Sequence, residues 1–318
     1  MLHNRPDFDD IVRAAADAAG MPIAIAEKDY YVTVVLDRLH SQYGDEVVFK
    51  GGTSLSKGWK IIDRFSEDVD VFVRINLPKD MSTSKFNKET RAKLGAIERH
   101  VGECDAFEVT SSDHFRGKSR DVVYTYSTGG PIDTNITPTV RLEMGVRSGG
   151  DPCTKRTIDS VVAEFARRQA NIQPFEVAPP FQMDLLDFTR TFVEKLACVH
   201  SLVCHHIDSG AEIGRNVRHY ADLHSLLQQP EVELFAGTDE YAQLREDIAR
   251  NTEQWFSRAT PLKPGEVFAN SPALDPTDTV MRALQAAYER EVPQLFYRGE
   301  PPPLETVFEC LNRVRNVL

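Results

Sequence analysis

Two carboxylates separated by a single valine, Asp68 and Asp70, open the run Asp68-Val69-Asp70-Val71-Phe72-Val73, and this stretch narrows the possible folds more than any other in the chain. Residues i and i+2 of a β-strand project from the same face. Val69, Val71 and Val73 therefore predict a strand anchored on a core, and the two acids lie together on its other side. Carboxylates so placed repel each other unless a cation sits between them. Hard oxygen ligands of this kind suit Mg²⁺, which takes one or two carboxylates plus substrate phosphates. The plainer reading of the pair is a solvent-facing acidic edge.

A second stretch lies just upstream. Glu46-Val47-Val48-Phe49-Lys50 is short and rich in β-formers, and it runs directly into Gly51-Gly52-Thr53-Ser54-Leu55-Ser56-Lys57. Glycine lets a backbone approach a ligand closely, and the start of a helix favours an anion. Thr53, Ser54 and Ser56 add hydroxyl donors. The arrangement suits a triphosphate, although Gly-Gly-Thr taken alone is often only a turn. A third carboxylate is wanted on a neighbouring strand, and Glu143 in Val140-Arg141-Leu142-Glu143-Met144 is the best placed. It alternates away from Leu142 and Met144, which fits either a metal ligand or simple exposure.

The remaining periodicities place these motifs in an α/β front half. Helices are predicted over Asp7 to Ala19, capped by Asp7 and ended by Gly20, over Ala24 to Gln42, and over Lys85 to Val101. Ser54 to Ile62 fits a short helix. Strands are predicted at Glu46 to Lys50, Val69 to Ile75, Phe107 to Thr110, Val122 to Ser127 and Thr139 to Val146, with Val123 and Thr125 sharing one face of the fourth. Gly149-Gly150-Asp151-Pro152 reads as a break. Beyond Pro180 the chain turns helical: Leu185, Phe188, Phe192, Leu196, Val199 and Val203 recur at steps of three and four. Further helices are expected at Ile213 to Gln228, Tyr241 to Phe256, Thr277 to Val292 and from Leu304. The organisation that these periodicities give is an α/β front half carrying a helical back half.

Length and charge limit the partners. The 318 residues suit one large domain or two ordinary ones, and 41% hydrophobic with 27% charged residues fits a globular protein with a real core. No apolar run nears the ~20 residues that span a bilayer, and no secretory signal is visible, so the cytoplasm is the expected compartment. A formal net charge of -11 attracts no nucleic acid through the overall field, so an RNA partner would need a local basic patch. Arg64, Arg74, Arg167, Arg168, Arg215 and Arg218 are candidates, and each taken singly reads as part of a solvated face. Five scattered cysteines, at 104, 153, 198, 204 and 310, contain no C-x-x-C pair, which argues against a disulfide framework and a structural zinc site. The histidines at 200, 205, 206, 219 and 224 lack any metal-ligand spacing, and no G-x-S-x-G elbow supports a hydrolase.

Four pieces of the chain resemble the AbiEii/AbiGii-type (MenT-like) nucleotidyltransferase toxins of the DNA polymerase β-like superfamily. They are Glu27-Lys28-Asp29-Tyr30-Tyr31-Val32; Phe49-Lys50-Gly51-Gly52-Thr53-Ser54-Leu55 followed by Phe65-Ser66-Glu67-Asp68-Val69-Asp70; Glu194-Lys195-Leu196; and Arg218-His219-Tyr220-Ala221-Asp222-Leu223. The paired glycine and acidic motifs at this spacing are the specific part, and residues 27 to 223 are sampled.

The resemblance implies an α+β fold: a nucleotidyltransferase domain over 1–180, with a mixed or antiparallel sheet flanked by helices, and a C-terminal helical bundle over 181–318 that completes the active site. It implies a metal-dependent nucleotidyltransferase of the EC 2.7.7 type that moves NMP from an NTP to an acceptor such as the 3′ end of tRNA. Asp68 and Asp70, with Glu143, would hold Mg²⁺ or Mn²⁺. Lys50, Gly51, Gly52, Thr53, Ser54, Lys57 and Ser66 would line the nucleotide site, with Ser66 also a possible regulatory position. Lys195 would neutralise triphosphate charge, and Asp222 would complete the site from the helical half. A cognate antitoxin is the implied protein partner, with no membrane and no DNA expected. The residues alone leave plainer readings open: Lys195 borders the apolar stripe as a snorkelling lysine would, and Arg218 with Asp222, four apart, is an ordinary surface pair. A nucleotide-binding regulator, or an enzyme of the same fold that transfers NMP or phosphate to a protein, remains the alternative.

Overall fold

The computed structural model describes residues 1–64, 66, 68–76, 78, 81–115, 118–129 and 136–318. Phe65 and Glu67 of the acidic motif lie outside the described residues. The chain forms two compact units. The first takes residues Met1–Trp59 and Phe65–Leu186; the second takes Lys60–Arg64 and Asp187–Leu318.

The first unit is built on a mixed sheet. Among the described residues its strands are β1 (Val47–Lys50), β2 (Asp68–Val73), β3 (Glu108–Phe115), β4 (Ser119–Thr125), β5 (Thr139–Gly145), β6 (Cys153–Ile158) and β7 (Phe181–Leu186), in the order β3-β4-β5-β2-β1-β7-β6. β2 lies at the centre, antiparallel to β1 and parallel to β5. Alternation decides which way each strand faces. Val69, Val71 and Val73 of β2, Val140, Leu142 and Met144 of β5, and Val122 and Tyr124 of β4 are all buried in one apolar core. Helices α1 (Phe8–Ala19), α2 (Ile23–Tyr43), α4 (Thr83–Gly102) and α5 (Val161–Ala166) belong to this unit, as does the short α3 (Gly51–Ser54). Val35, Leu36 and Leu39 of α2 and Leu94 and Ile97 of α4 complete the same core. The expected mixed sheet with flanking helices is present.

Several local expectations need correcting. Val123 and Thr125 do share one face of β4, but it is the half-exposed one; the buried face carries Val122 and Tyr124. The Asp7 side chain accepts no hydrogen bond from the first turn of α1; its carboxylate is engaged by Arg5 at 2.8 Å. The segment after β1 is a helical turn over Gly51–Ser54 followed by a π-type turn over Leu55–Trp59, three residues earlier than Ser54 to Ile62 implied. Leu185 belongs to β7, and the long helix α6 begins only at Phe188, capped by the Asp187 side chain.

The second unit is helical: α6 (Phe188–Ser209), α7 (Arg218–Leu227), α8 (Pro230–Phe235), α9 (Asp239–Trp255), α10 (Asp278–Glu291) and α11 (Leu304–Val314). Phe192, Leu196, Val199 and Val203 form the buried stripe of α6, and Tyr220, Leu223 and Leu226 that of α7. Among the described residues, no helix is long and apolar enough to cross a membrane.

Candidate functional site

The polar face of the sheet gathers the acids. β2 is buried at every second residue, so Asp68 and Asp70 share the half-exposed face opposite Val69 and Val71. The parallel register sets Asp70 beside Glu143 and Asp68 beside Arg141. One strand further out, Asp121 of β4 stands beside Glu143. Arg141 bridges this row, reaching Asp121 at 2.9 Å and Glu143 at 3.1 Å. Burial raises the Glu143 carboxyl to about 7, and the charges of Asp70 and Asp68 add to the rise.

Such a row of oxygen donors fits a hard divalent cation. Glu143 is costly to ionise here because it is buried and, beyond that, because the local field is already negative; a cation would relieve that cost. Asp68, Asp70 and Glu143 were candidates from their spacing; Asp121 and Arg141, which the register adds to the row, were not. Their contribution depends on strand register, which no spacing along the chain reveals.

On the other side of Asp70 the antiparallel register places Lys50, the last residue of β1. Gly51 then turns the chain with φ 77°. A Cβ at this position would lie 2.1 Å from Asp70 Oδ2, so the turn and the carboxylate are close neighbours that only glycine permits. Gly52, Thr53 and Ser54 follow and are buried. The Thr53 hydroxyl donates to the carbonyl oxygen of Asp68, which ties the turn to the start of β2. At 3.5 Å it also reaches the carbonyl of Ser66, which is half-buried. Ser54 Oγ donates to the Gly51 carbonyl at 2.9 Å and Ser56 Oγ to that of Thr53 at 3.2 Å. These hydroxyls brace the turn itself.

Lys57 is buried, and its ammonium donates to Asp29 Oδ1 of α2 at 2.5 Å. The second oxygen of Asp29 accepts from the Val161 backbone N–H at 2.9 Å. The pair thus joins the π-type turn, α2 and the start of α5.

The second unit has its own charged centre. Asp222 of α7 is fully buried and accepts two hydrogen bonds from Arg64, at 2.5 Å from Nε and 2.7 Å from Nη2. Lys195 Nζ of α6 donates to Asp222 Oδ2 at 2.6 Å and lies 3.3 Å from His219 Nδ1. Burial pushes the Asp222 carboxyl up, but the charges of Arg64 and Lys195 outweigh it and hold the group well below the usual carboxylate range. Burial, together with the Lys195 ammonium, lowers His219 to about 4. Asp222 is therefore the buried hub of a cationic cluster, not the surface partner that its four-residue spacing from Arg218 suggested.

The arginines considered as a basic patch are largely committed elsewhere. Arg64 is buried against Asp222, Arg74 meets Asp184 at 3.0 Å, Arg167 pairs with Asp159 and Arg168 with Glu164.

Residues 34–310 match the model of a family described as the nucleotidyl transferase AbiEii toxin of a type IV toxin–antitoxin system. No curated protein matches the chain.

Proposed function

We propose a specific reaction for this chain, which belongs to the AbiEii family of nucleotidyltransferase toxins of type IV toxin–antitoxin systems: transfer of a nucleoside monophosphate from an NTP to RNA, at the 3′ end of tRNA, with release of pyrophosphate. The observation that carries the reading is the register that puts Glu143 beside Asp70, two residues from Asp68, with the Gly51 turn packed against the same Asp70 carboxylate.

Asp68, Asp70 and Glu143 would hold Mg²⁺ or Mn²⁺. When bound, such ions polarise the phosphates and lower the barrier to attack by the acceptor hydroxyl. The chain's own residues prepare the place. Gly51 and Gly52 keep the turn free of side chains where phosphates must approach. Thr53 fixes that turn to β2, so the cradle and the carboxylates move as one piece. Lys50 brings a cation beside Asp70 in the register, and Lys57, through Asp29, secures the far end of the turn. Ser66 neighbours Asp68 in sequence and lines the same approach. Arg141 steadies Glu143 and Asp121 against their mutual repulsion. Lys195 and Asp222 are assigned to the same reaction on the strength of motifs 194–196 and 218–223, Lys195 as the charge-neutralising group and Asp222 as its anchor. The cytoplasm supplies both NTP and tRNA, and a cognate antitoxin would restrain the activity.

The test is incubation of the purified protein with each labelled NTP, Mg²⁺ and total RNA. The parent labels tRNA-sized RNA at its 3′ end, and Asp70→Ala reduces this by on the order of a thousandfold, as loss of several kcal/mol of metal assistance requires. Equal labelling by parent and variant would overturn the assignment. Tight NTP binding without pyrophosphate release would instead favour a regulator.

A further inference from the structure

Three side chains from two distant parts of the sequence converge in the first unit, away from the carboxylate row. His3 lies in a 3-10 turn over Leu2–Asn4, and Cys104 and Asp105 follow the end of α4. His3 Nε2 is 3.2 Å from Asp105 Oδ1, and Cys104 Sγ is 3.8 Å from the same oxygen. The three donor atoms all lie within 4.8 Å of one another. We propose that His3, Cys104 and Asp105 form a Zn²⁺ site that fastens the N-terminal turn to the end of α4.

The distances fit that ion. Zinc bonds of about 2.0–2.3 Å in tetrahedral geometry set neighbouring donors about 3.3–3.7 Å apart. The separations of His3 Nε2 and Cys104 Sγ from Asp105 Oδ1, 3.2 and 3.8 Å, bracket that range. The donor set is nitrogen, sulfur and oxygen, which suits zinc and not Mg²⁺ or Ca²⁺.

The far side of the two oriented ligands is also held. His3 Nδ1 meets the Tyr30 hydroxyl at 2.9 Å, and that hydroxyl accepts the His3 backbone N–H at 3.3 Å. Asp105 Oδ2 accepts from Asn4 Nδ2 at 2.8 Å. Zinc ligands are typically oriented by such outer partners. An ordinary His–Asp pair would need neither the sulfur nor these supports.

The three groups differ in exposure. The His3 side chain is 4% exposed and Cys104 8%, whereas the Asp105 side chain is 63% exposed. The ion would therefore enter from the Asp105 side, with its fourth position open to water. Burial raises the Cys104 thiol, so the group is protonated without metal, while the Ala106 backbone gives its sulfur a compensating hydrogen bond. Zinc takes the thiolate, so binding releases the thiol proton. With Nε2 on the ion, the ring proton would sit on Nδ1, where the Tyr30 oxygen is placed to accept it.

The spacing of the cysteines had argued against such a site. A single cysteine supplies the sulfur here, and the nitrogen ligand His3 lies about a hundred residues from Cys104 and Asp105.

The test is titration of the chelator-stripped full chain with Co²⁺, in Mg²⁺ so that the carboxylate row is saturated. The expected result is a thiolate-to-cobalt charge-transfer absorption that saturates at a single equivalent and is displaced by Zn²⁺. Cys104→Ser abolishes it and His3→Gln weakens affinity on the order of tenfold to a hundredfold or more, each variant keeping the parent's circular dichroism. At one zinc concentration, the thermal midpoint should rise in the parent, rise less in His3→Gln and stay unchanged in Cys104→Ser. No such absorption in the parent, or the same absorption in a folded Cys104→Ser protein, would overturn the proposal. Should Cys104→Ser fail to fold, His3→Gln decides: unchanged cobalt affinity would reject the site.

Discussion

Gly51 and Asp70 occupy a space that has room for only one side chain: a methyl group on residue 51 would meet Asp70 Oδ2 at 2.1 Å and its Cγ at 2.9 Å. The backbone at residue 51 is also left-handed, with φ 77°. Gly51→Ala therefore faces two penalties, a strained dihedral and a displaced carboxylate. The strain alone should lower stability by about 1–3 kcal/mol, read as a shift in the urea midpoint. Displacing Asp70 should remove nucleotide transfer well beyond what the lost stability explains. An alanine variant with the parent's midpoint and rate would show that the turn yields freely.

In the helical unit, Asp222 balances two buried cations, Arg64 and Lys195. Asp222→Ala leaves both without their shared carboxylate and should cost about 3–5 kcal/mol. Replacing the set by apolar residues of similar volume, Arg64→Met, Lys195→Met and Asp222→Leu together, should restore much of that loss in chemical denaturation. If the triple variant is as unstable as Asp222→Ala, the penalty comes from packing and not from uncompensated charge.

The two motifs at the heart of the proposed site were legible because each is local. Val69, Val71 and Val73 announce β2 by alternation, and Gly51-Gly52 marks the end of β1. What depends on distant partners was not legible. β6 has four exposed residues, Thr154 to Thr157, at the sheet edge, so it carries no apolar period to read. Leu185 continues the three-and-four spacing of α6 by coincidence, and only the break at Asp187 separates strand from helix. Lys57 looks like a phosphate contact beside its glycines, yet its partner Asp29 lies 28 residues upstream. Asp222 looks like a surface acid until Arg64, 158 residues away, is brought against it.

The Lys57–Asp29 pair makes a separable prediction. Lys57→Met should lower stability by about 1.5–3 kcal/mol through loss of a charge-assisted hydrogen bond. In a double-mutant cycle with Asp29→Asn, the two losses should be far from additive, because each removes the same interaction. If Lys57 also contacts the triphosphate, the KM for NTP will rise in Lys57→Met but not in Asp29→Asn. Equal KM values in both variants would confine Lys57 to bracing the turn.

His219 gives the helical unit a pH dependence whose sign can be worked out. Burial and the neighbouring Lys195 ammonium lower its ring to about 4, from an ordinary value of 6.5. Between those values the unfolded chain binds a proton that the folded chain refuses, so stability rises with pH across this window. Acidification from neutrality should therefore erode stability starting near pH 6.5, with the histidine's share exhausted near pH 4. Asp222, held well below its usual range, keeps its own contribution until more acidic pH. His219→Gln, which retains a polar side chain near Lys195 and Asp222 without a titrating ring, should flatten the profile between pH 4 and 6.5 and leave the steeper acid limb in place. Urea midpoints measured at half-unit steps of pH would read this directly. A parent profile that is already flat in that window would mean that the ring is protonated as readily in the folded protein as in water.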